Sequence, residues 1–567
     1  MPTADRDDTG DWALAAASGA GSVGGETLDS SHGQPLGWTR DGDAGDHEPL
    51  DVAALLTRAA TENPAKLAVV EAGGRSVTWA QLDDEVGRVA TGLGASGILA
   101  GHRVVIASSN RIEFVTTYLG VLRAQAIAVP VNPRASAHEL ARLLADCGAR
   151  MVVADGDAVR TVREAAVLLA AESSPVADRV RVVVIGTTLQ PGERSYDHLR
   201  ADSARPVPAL TDPERLAVLL YTSGTSGLPR AAMLTHRALA ANIAQVAAVR
   251  PPMIHGDDVV LGVLPLFHVY GLNAVLGCVV QQRAKLVLTD AFDPQGTLDL
   301  IDDEACSVLP VAPPVFAHWR DVDLAGRLGP VRLVLSGSAP LAPEVVTAFT
   351  ERTGVPVHQG YGLTEAAPVV TSTLCSTRPP AAGSVGAALA GIDLRLVDDT
   401  GAVVAGDDPG EIQVRGANLF SGYWPDGSEG PDAEGWWSTG DVGFLDEHGD
   451  VFLVDRVKEL VIVSGFNVYP VEVEDVVAEV AGVRAVAVIG AEDEQTGEAV
   501  VAYVVAPDLD PEAVVASVRA HCVERLARFK VPTRIEVVDQ LPHTLTGKVQ
   551  KGRLRGLERR RALGLLE

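Results

Sequence analysis

Short apolar runs such as "HRVVIA", "AIAVPV" and "RMVVA" alternate with stretches of helical periodicity from "LLTRAATENPAKLAVV" onward. That alternation is the pattern of an α/β chain with largely parallel sheets, and no repeat of a solenoid period competes with it. At 567 residues the chain is longer than one hydrophobic core usually serves, so at least two domains are expected. Around "GDVFLVDRVKELVIVSGFNVYP" the texture shifts to short β-rich turns, and the remainder, through "HCVERLARFKVPTRIEVV", reads as a compact α+β unit. The expected organisation is a disordered acidic tail over residues 1–48, a large unit over 49–455 and a small one over 456–567, with a hinge near Asp455 to Lys458.

Charge and composition exclude several functions. A net charge of -27 argues against general nucleic-acid binding, which needs a basic face. Cys147, Cys278, Cys306, Cys375 and Cys522 lie far apart with no Cys-x-x-Cys pair, which gives neither a zinc site nor a disulfide framework. The start, "MPTADRDDTGDW", is acidic and unlike a signal peptide, so a cytoplasmic protein is expected. Gly19, Gly21 and Gly24 form a G-x-G-x-x-G match with no preceding strand and no βαβ frame, and a dinucleotide site is not inferred from it. The uncharged run from Val259 to Val280 is long enough to cross a bilayer, but Pro265, His268 and Asn273 sit in its middle. A core strand followed by a pocket-lining helix is the preferred reading, with no transmembrane segment; peripheral contact with a membrane surface stays open.

The segment "YTSGTSGLPRAAMLTH", Tyr221 to His236, follows the apolar "RLAVLL". Gly224 and Gly227 let backbone amides turn toward one point, and Thr222, Ser223, Thr225 and Ser226 add hydroxyl donors, a surface suited to a polyanion. Arg230 adds a permanent charge that can fork onto two phosphate oxygens. "RLAVLL" reads as a buried strand, "RAAML" as a second, and Thr235 as the cap of a following helix. No Gly-Lys-Ser/Thr follows at Walker A spacing, so kinase- or GTPase-like chemistry is not implied.

This loop resembles the signature Tyr-Thr-Ser-Gly-Thr-Thr-Gly-x-Pro-Lys-Gly of the adenylate-forming superfamily of acyl-CoA synthetases, luciferases and peptide adenylation domains, with Arg230 and Ala231 replacing the final Lys-Gly. The resemblance extends from about residue 50 to 560. It implies an α/β fold with a large N-terminal domain of stacked mixed sheets and flanking helices, plus a small mobile α+β C-terminal domain. It also implies ATP, Mg²⁺ and coenzyme A as reactants or cofactors. In "QGYGLTEAAPV", after a turn expected at Gly360 and Gly362, Glu365 would help hold Mg²⁺ with Thr225, and Thr364 would contact phosphate. "SGSAPL", with Ser338 and Ala339, and Gln359, Gly360 and Tyr361 would enclose adenine. Asp441 in "STGDVG" would take the ribose hydroxyls and Arg456 would be a second nucleotide contact, with Lys458 at the hinge. Lys548 in "PHTLTGKVQK" would bridge carboxylate and α-phosphate and then swing away with the small domain. Gly465 in "VSGFNVYP" would leave room for the pantetheine arm.

The acid is read from "LPLFHVYGLNAVLG", where His268 would close the pocket near the carboxylate. Gly271, Ala274 and Gly277 recur every three residues, which on a helix opens either a groove for an apolar chain or a face for close packing. No Asp or Glu occurs from Leu261 to Val280 to pair with a substrate ammonium, which disfavours α-amino acids. "PLFHVYGL" and "SGFNVYP" look most like medium- and long-chain fatty acyl-CoA synthetases, while Tyr270 keeps aryl-CoA ligases of the coumarate type in view. A fatty acyl-AMP ligase serving a carrier protein and a catalytically silent binding protein are the other readings.

Overall fold

The computed structural model describes residues 52–562 apart from 224–228, 340, 399, 405–409, 457–460, 469, 508, 543–548 and 550. The expected tail and hinge therefore lie, wholly or in their central part, outside the described residues.

The predicted strand runs become neighbours. Met151–Ala154, Arg103–Ala107 and Ile127–Pro130 lie side by side and parallel in a seven-stranded sheet, followed by Leu216–Ser223 and the antiparallel edge Pro229–Thr235. Their continuous apolar texture has a simple cause: both faces are covered. Val104 and Ile106 point into one core while Val105 and Ala107 point into another, as the two-residue alternation of a strand requires.

A nine-stranded sheet has a parallel centre, Leu67–Glu71, Lys285–Leu288, Val259–Gly262, Val308–Val311, Leu333–Ser336 and Val357–Gly362, flanked by antiparallel edges. Helices Trp79–Ala95, Ile112–Arg123 and His236–Ala248 share one core with the inner faces of both sheets, so the two sheets stack across a helical layer. Thr235 caps His236–Ala248 by accepting from the Ala238 amide, as its sequence position suggests. An antiparallel four-stranded sheet from Ile392–Val397 to Val451–Arg456 follows. From Val461 onward the chain builds its own five-stranded sheet with separate apolar clusters, a small C-terminal domain.

No helix among the described residues is long and apolar enough to cross a membrane. The run from Val259 gives the expected strand, Val259–Gly262, followed by a pocket-lining helix, which is π-wound, Tyr270–Gly277. A Cβ on Gly271 would stand 2.3 Å from the Pro265 carbonyl oxygen, and one on Gly277 2.6 Å from Ile243 Cδ1. The two glycines serve close packing, not a groove. One local expectation changes: Gly360 and Gly362 are not turn residues but belong to the strand Val357–Gly362, paired antiparallel with Val369–Ser372. The turn comes after them, through the 3-10 segment Thr364–Ala366.

The glycines are needed because the partner strand crosses close by. A Cβ on Gly362 would lie 2.3 Å from the Pro368 carbonyl oxygen, and one on Gly360 2.7 Å from that of Thr371. Gly362→Ala should cost roughly 1–3 kcal/mol of stability through this overlap. Thermal unfolding with an unchanged midpoint would show that the two strands separate without strain.

Candidate functional site

The C-terminal ends of the parallel strands open into a cavity of about 170 Å³. Its wall includes Thr222, His268, Ser338, Gln359, Gly360, Tyr361, Thr364, Glu365 and Asp441, residues drawn from three sheets. Among the described residues, most of those expected at the site thus border one space. Ala339 is not part of this wall. Gly224, Thr225, Ser226, Gly227, Lys458 and Lys548, and the side chains of Ser223 and Arg456, lie outside the described residues.

Glu365 is the buried acid of the cavity, 8 % exposed. The Tyr423 hydroxyl donates to its Oε1 at 2.6 Å, and the 3-10 turn is pinned because the Phe420 amide donates to the Glu365 carbonyl. The Arg230 guanidinium lies 3.7 Å from the centre of the Tyr423 ring and pairs with Glu429 at 2.7 Å. Arg230, Tyr423 and Glu365 thus form one stacked and hydrogen-bonded column. Tyr423 was not singled out in the sequence; it sits in "SGYWPDG", a turn-rich stretch with no periodicity to mark it.

At the other end, Tyr361 donates to Asp441 Oδ2 at 2.7 Å, and the Asp441 amide donates to Thr439 Oγ1. The backbone of Asp441 pairs in register with that of Arg456, so the two expected nucleotide residues are cross-strand neighbours. The Ser336 hydroxyl also lines the cavity, buried and without a hydrogen-bond partner among the described residues.

The apolar end is formed by Val246, Met253, Ile254, Ala274 and Leu335 around Tyr270. The Tyr270 hydroxyl donates to the Leu335 carbonyl at 3.2 Å, and its ring lies so near Gly337 that a Cβ there would stand 3.0 Å from Cε1. His268 Nδ1 accepts from the Tyr270 amide at 3.3 Å, which places the proton of the neutral ring on Nε2. Burial drives the His268 imidazole down to about 4.

A second cavity of about 360 Å³ adjoins the first and shares Thr222, His268 and Thr364 with it. Phe267, Phe466 and Phe529 line it, the last two from the small domain. Phe466 follows a two-residue hairpin turn in which Ser464 and Gly465 have φ of 52° and 81°. Gly465 is therefore required by its turn; the residue that reaches the cavity is Phe466.

Residues 56–424 match the AMP-binding enzyme family and residues 472–548 the AMP-binding enzyme C-terminal domain. The chain belongs to the AMP-binding enzyme family. It is 34 % identical over 521 residues to a 4-coumarate–CoA ligase-like protein of Oryza sativa subsp. japonica, covering 86 % of this chain and 89 % of the relative. It is 31 % identical over 537 residues to a long-chain-fatty-acid–CoA ligase of Bacillus subtilis, covering 88 % and 93 %. Among solved structures, a variant of an amide bond synthetase from Marinactinospora thermotolerans superposes with a TM-score of 0.77 at 28 % identity, covering 89 % of this chain and 99 % of that one. An o-succinylbenzoate CoA synthetase from Bacillus subtilis, bound with a product analogue, gives 0.75 at 26 %, covering 88 % and 98 %.

The desolvated His268 imidazole has a measurable consequence. The folded protein keeps His268 neutral where the unfolded chain, near 6.5, takes up a proton, so its share of stability is complete above 6.5 and is lost as pH falls toward about 4. A His268→Gln variant should lose less thermal stability than the wild type between about pH 7 and about pH 4.5. Identical acid profiles would contradict a neutral buried ring.

Proposed function

We propose that the chain is an AMP-forming acid–thiol ligase: a carboxylate attacks the α-phosphate of ATP and releases pyrophosphate, and the thiol of coenzyme A then takes the acyl group and releases AMP. The observation that carries this reading is the pair of cavities meeting at Thr222, His268 and Thr364, one polar at one end and apolar at the other, the second walled by both domains.

The first step gathers negative charge, and its site must supply cations and oriented donors. Arg230, fixed on the Tyr423 ring, would face phosphate oxygens together with Thr222, Ser223 and the 224–227 amides. Glu365 suits a magnesium ion: it is a buried carboxylate oriented through one oxygen, and Mg²⁺ commonly takes one or two protein carboxylates and completes its shell with phosphates and water. No group of three or more metal-ligating side chains occurs among the described residues, which agrees with that sparse mode. With Thr225 as the second proposed ligand, the ion when bound would neutralise phosphate charge. Tyr361 would orient Asp441 toward the ribose hydroxyls beside Arg456, with Ser338 and Gln359 to Tyr361 along the adenine. Lys548, carried by the small domain, is proposed to bridge the carboxylate and α-phosphate, and His268 Nε2–H to hold the acid's oxygen.

In the second step the thiol would arrive through the second cavity and meet the acyl carbon beside His268. The hairpin carrying Phe466 is docked there, which supports this domain arrangement as the acyl-transfer one, with rotation about the proposed hinge near Asp455 to Lys458 supplying the other. Residues 49–455 and 456–567 are the proposed units of that movement.

The acid is proposed to be apolar, since among the described residues lining the first cavity Glu365 and Asp441 are the only carboxylates and neither stands among the apolar wall residues. A medium- or long-chain fatty acid is supported by the wording of "PLFHVYGL" and by the Bacillus subtilis relative. An aryl acid is supported by the rice relative and by the flat Tyr270 face against Gly337, and the modest cavity volume favours this compact class.

A pyrophosphate-release screen over fatty, aryl and α-amino acids tests the proposal, with coenzyme A, carrier phosphopantetheine or a simple amine as acceptor. Release with fatty or aryl acids and a CoA thioester as product are expected. Preference for amino acids, or ATP binding without any release, would overturn the reading; a carrier thioester or an amide as sole product would replace the acceptor.

A further inference from the structure

One contact between the domains centres on a lysine. Lys530, on the small domain, is largely enclosed, with a side-chain exposure of 13 %, and pairs with two carboxylates, Glu472 at 2.8 Å and Glu139 at 2.9 Å. Glu472 belongs to the small domain itself, on Pro470–Ala478; Glu139 belongs to the large domain, on the helix Ala137–Asp146. Burial works against the ammonium, but Glu139 and Glu472 together outweigh it and raise the Lys530 pKa.

Glu139 is also the third residue of a capping box. Its carboxylate accepts from the Ser136 amide at 2.8 Å, while Ser136 Oγ accepts from the Glu139 amide at 3.2 Å. Ser136 Oγ donates in turn to the carbonyl of Arg525, the last residue of the helix Pro511–Arg525, at 3.0 Å. The start of a large-domain helix thus meets the end of a small-domain helix, an arrangement in which their dipoles attract.

Beside this junction an aromatic row runs toward the reaction centre. Phe529, adjacent in sequence to Lys530, stacks on Phe466 with ring centres 4.5 Å apart, and Phe466 stacks on Phe267 at 5.9 Å. Phe267 precedes His268. Anchoring Lys530 therefore fixes the position of the Phe466 hairpin against the large domain.

The junction can also part without stranding a charge. Once separated, Lys530 keeps Glu472 and Glu139 keeps the Ser136 amide, so neither group is left buried and unpaired, the usual cost of breaking such a pair.

We propose that Glu139 and Lys530 are positioning residues for acyl transfer: their ion pair latches the small domain in the orientation that seats Phe466 beside His268, and opens for adenylation. This rests on the two-step reading above.

The test separates the half-reactions in the full chain: acid-dependent ATP–pyrophosphate exchange, and thioester formation from supplied acyl-AMP and coenzyme A. Glu139→Gln keeps an N3 side chain able to complete the capping box and removes only the charge. Exchange within about twofold of wild type, with thioester formation slowed at least about tenfold, is expected. Lys530→Met should reproduce that split from the other domain, and Lys530→Arg should restore most of the transfer rate. Equal losses in both half-reactions, or unimpaired transfer in both Glu139→Gln and Lys530→Met, would overturn the latch. A wild type that exchanges no pyrophosphate with any acid would instead overturn the reading beneath it.

Discussion

The site depends on a close backbone crossing at the edge of the nine-stranded sheet. The last parallel strand ends in Gly360 and Gly362, the chain reverses through Thr364–Ala366, and Val369–Ser372 returns against the two glycines. That reversal puts Glu365 where Tyr423 can hold it, and through Tyr423 it fixes Arg230. It also sets Tyr361 where its hydroxyl reaches Asp441. Carboxylates and hydroxyls from separate sheets meet around one space, with Arg230 held behind Glu365 through Tyr423, because a single tight turn sets their distances.

Much of this was legible in the sequence wherever a local cause was at work. Runs such as "HRVVIA" announced strands because neighbouring residues had to be apolar on both faces. Thr235 could be read as a cap because capping is a matter of three residues. Ser223 to Ser226, Glu365, Asp441 and Arg456 were nominated by their segments, and of these Glu365 and Asp441 do border one cavity.

What could not be read depends on partners far away in the chain. Gly360 and Gly362 look the same in sequence whether they turn the chain or admit another strand. The π-helical winding of Tyr270–Gly277 leaves no composition mark that separates it from an α-helix, and the three-residue spacing of Gly271, Ala274 and Gly277 left groove and close packing equally open until the neighbours of the two glycines decided for packing. Gly465 was read as leaving room for the thiol arm; its φ adds a hairpin requirement that the sequence did not reveal, and the neighbouring Phe466 lines the cavity. The Glu139–Lys530 pair joins residues 391 positions apart, and charge pairing at that separation has no periodic signature.

The proposed acyl adenylate is the central step, because carboxylates and hydroxyls at one end of a cavity and an apolar wall at the other have a common purpose only if carboxylate oxygen bonds to phosphorus. An acid labelled with oxygen-18 in its carboxylate, supplied with ATP and coenzyme A, tests this by mass spectrometry of the nucleotide product. One labelled oxygen transferred to AMP is expected. Label in inorganic phosphate, or unlabelled AMP alongside thioester product, would contradict it.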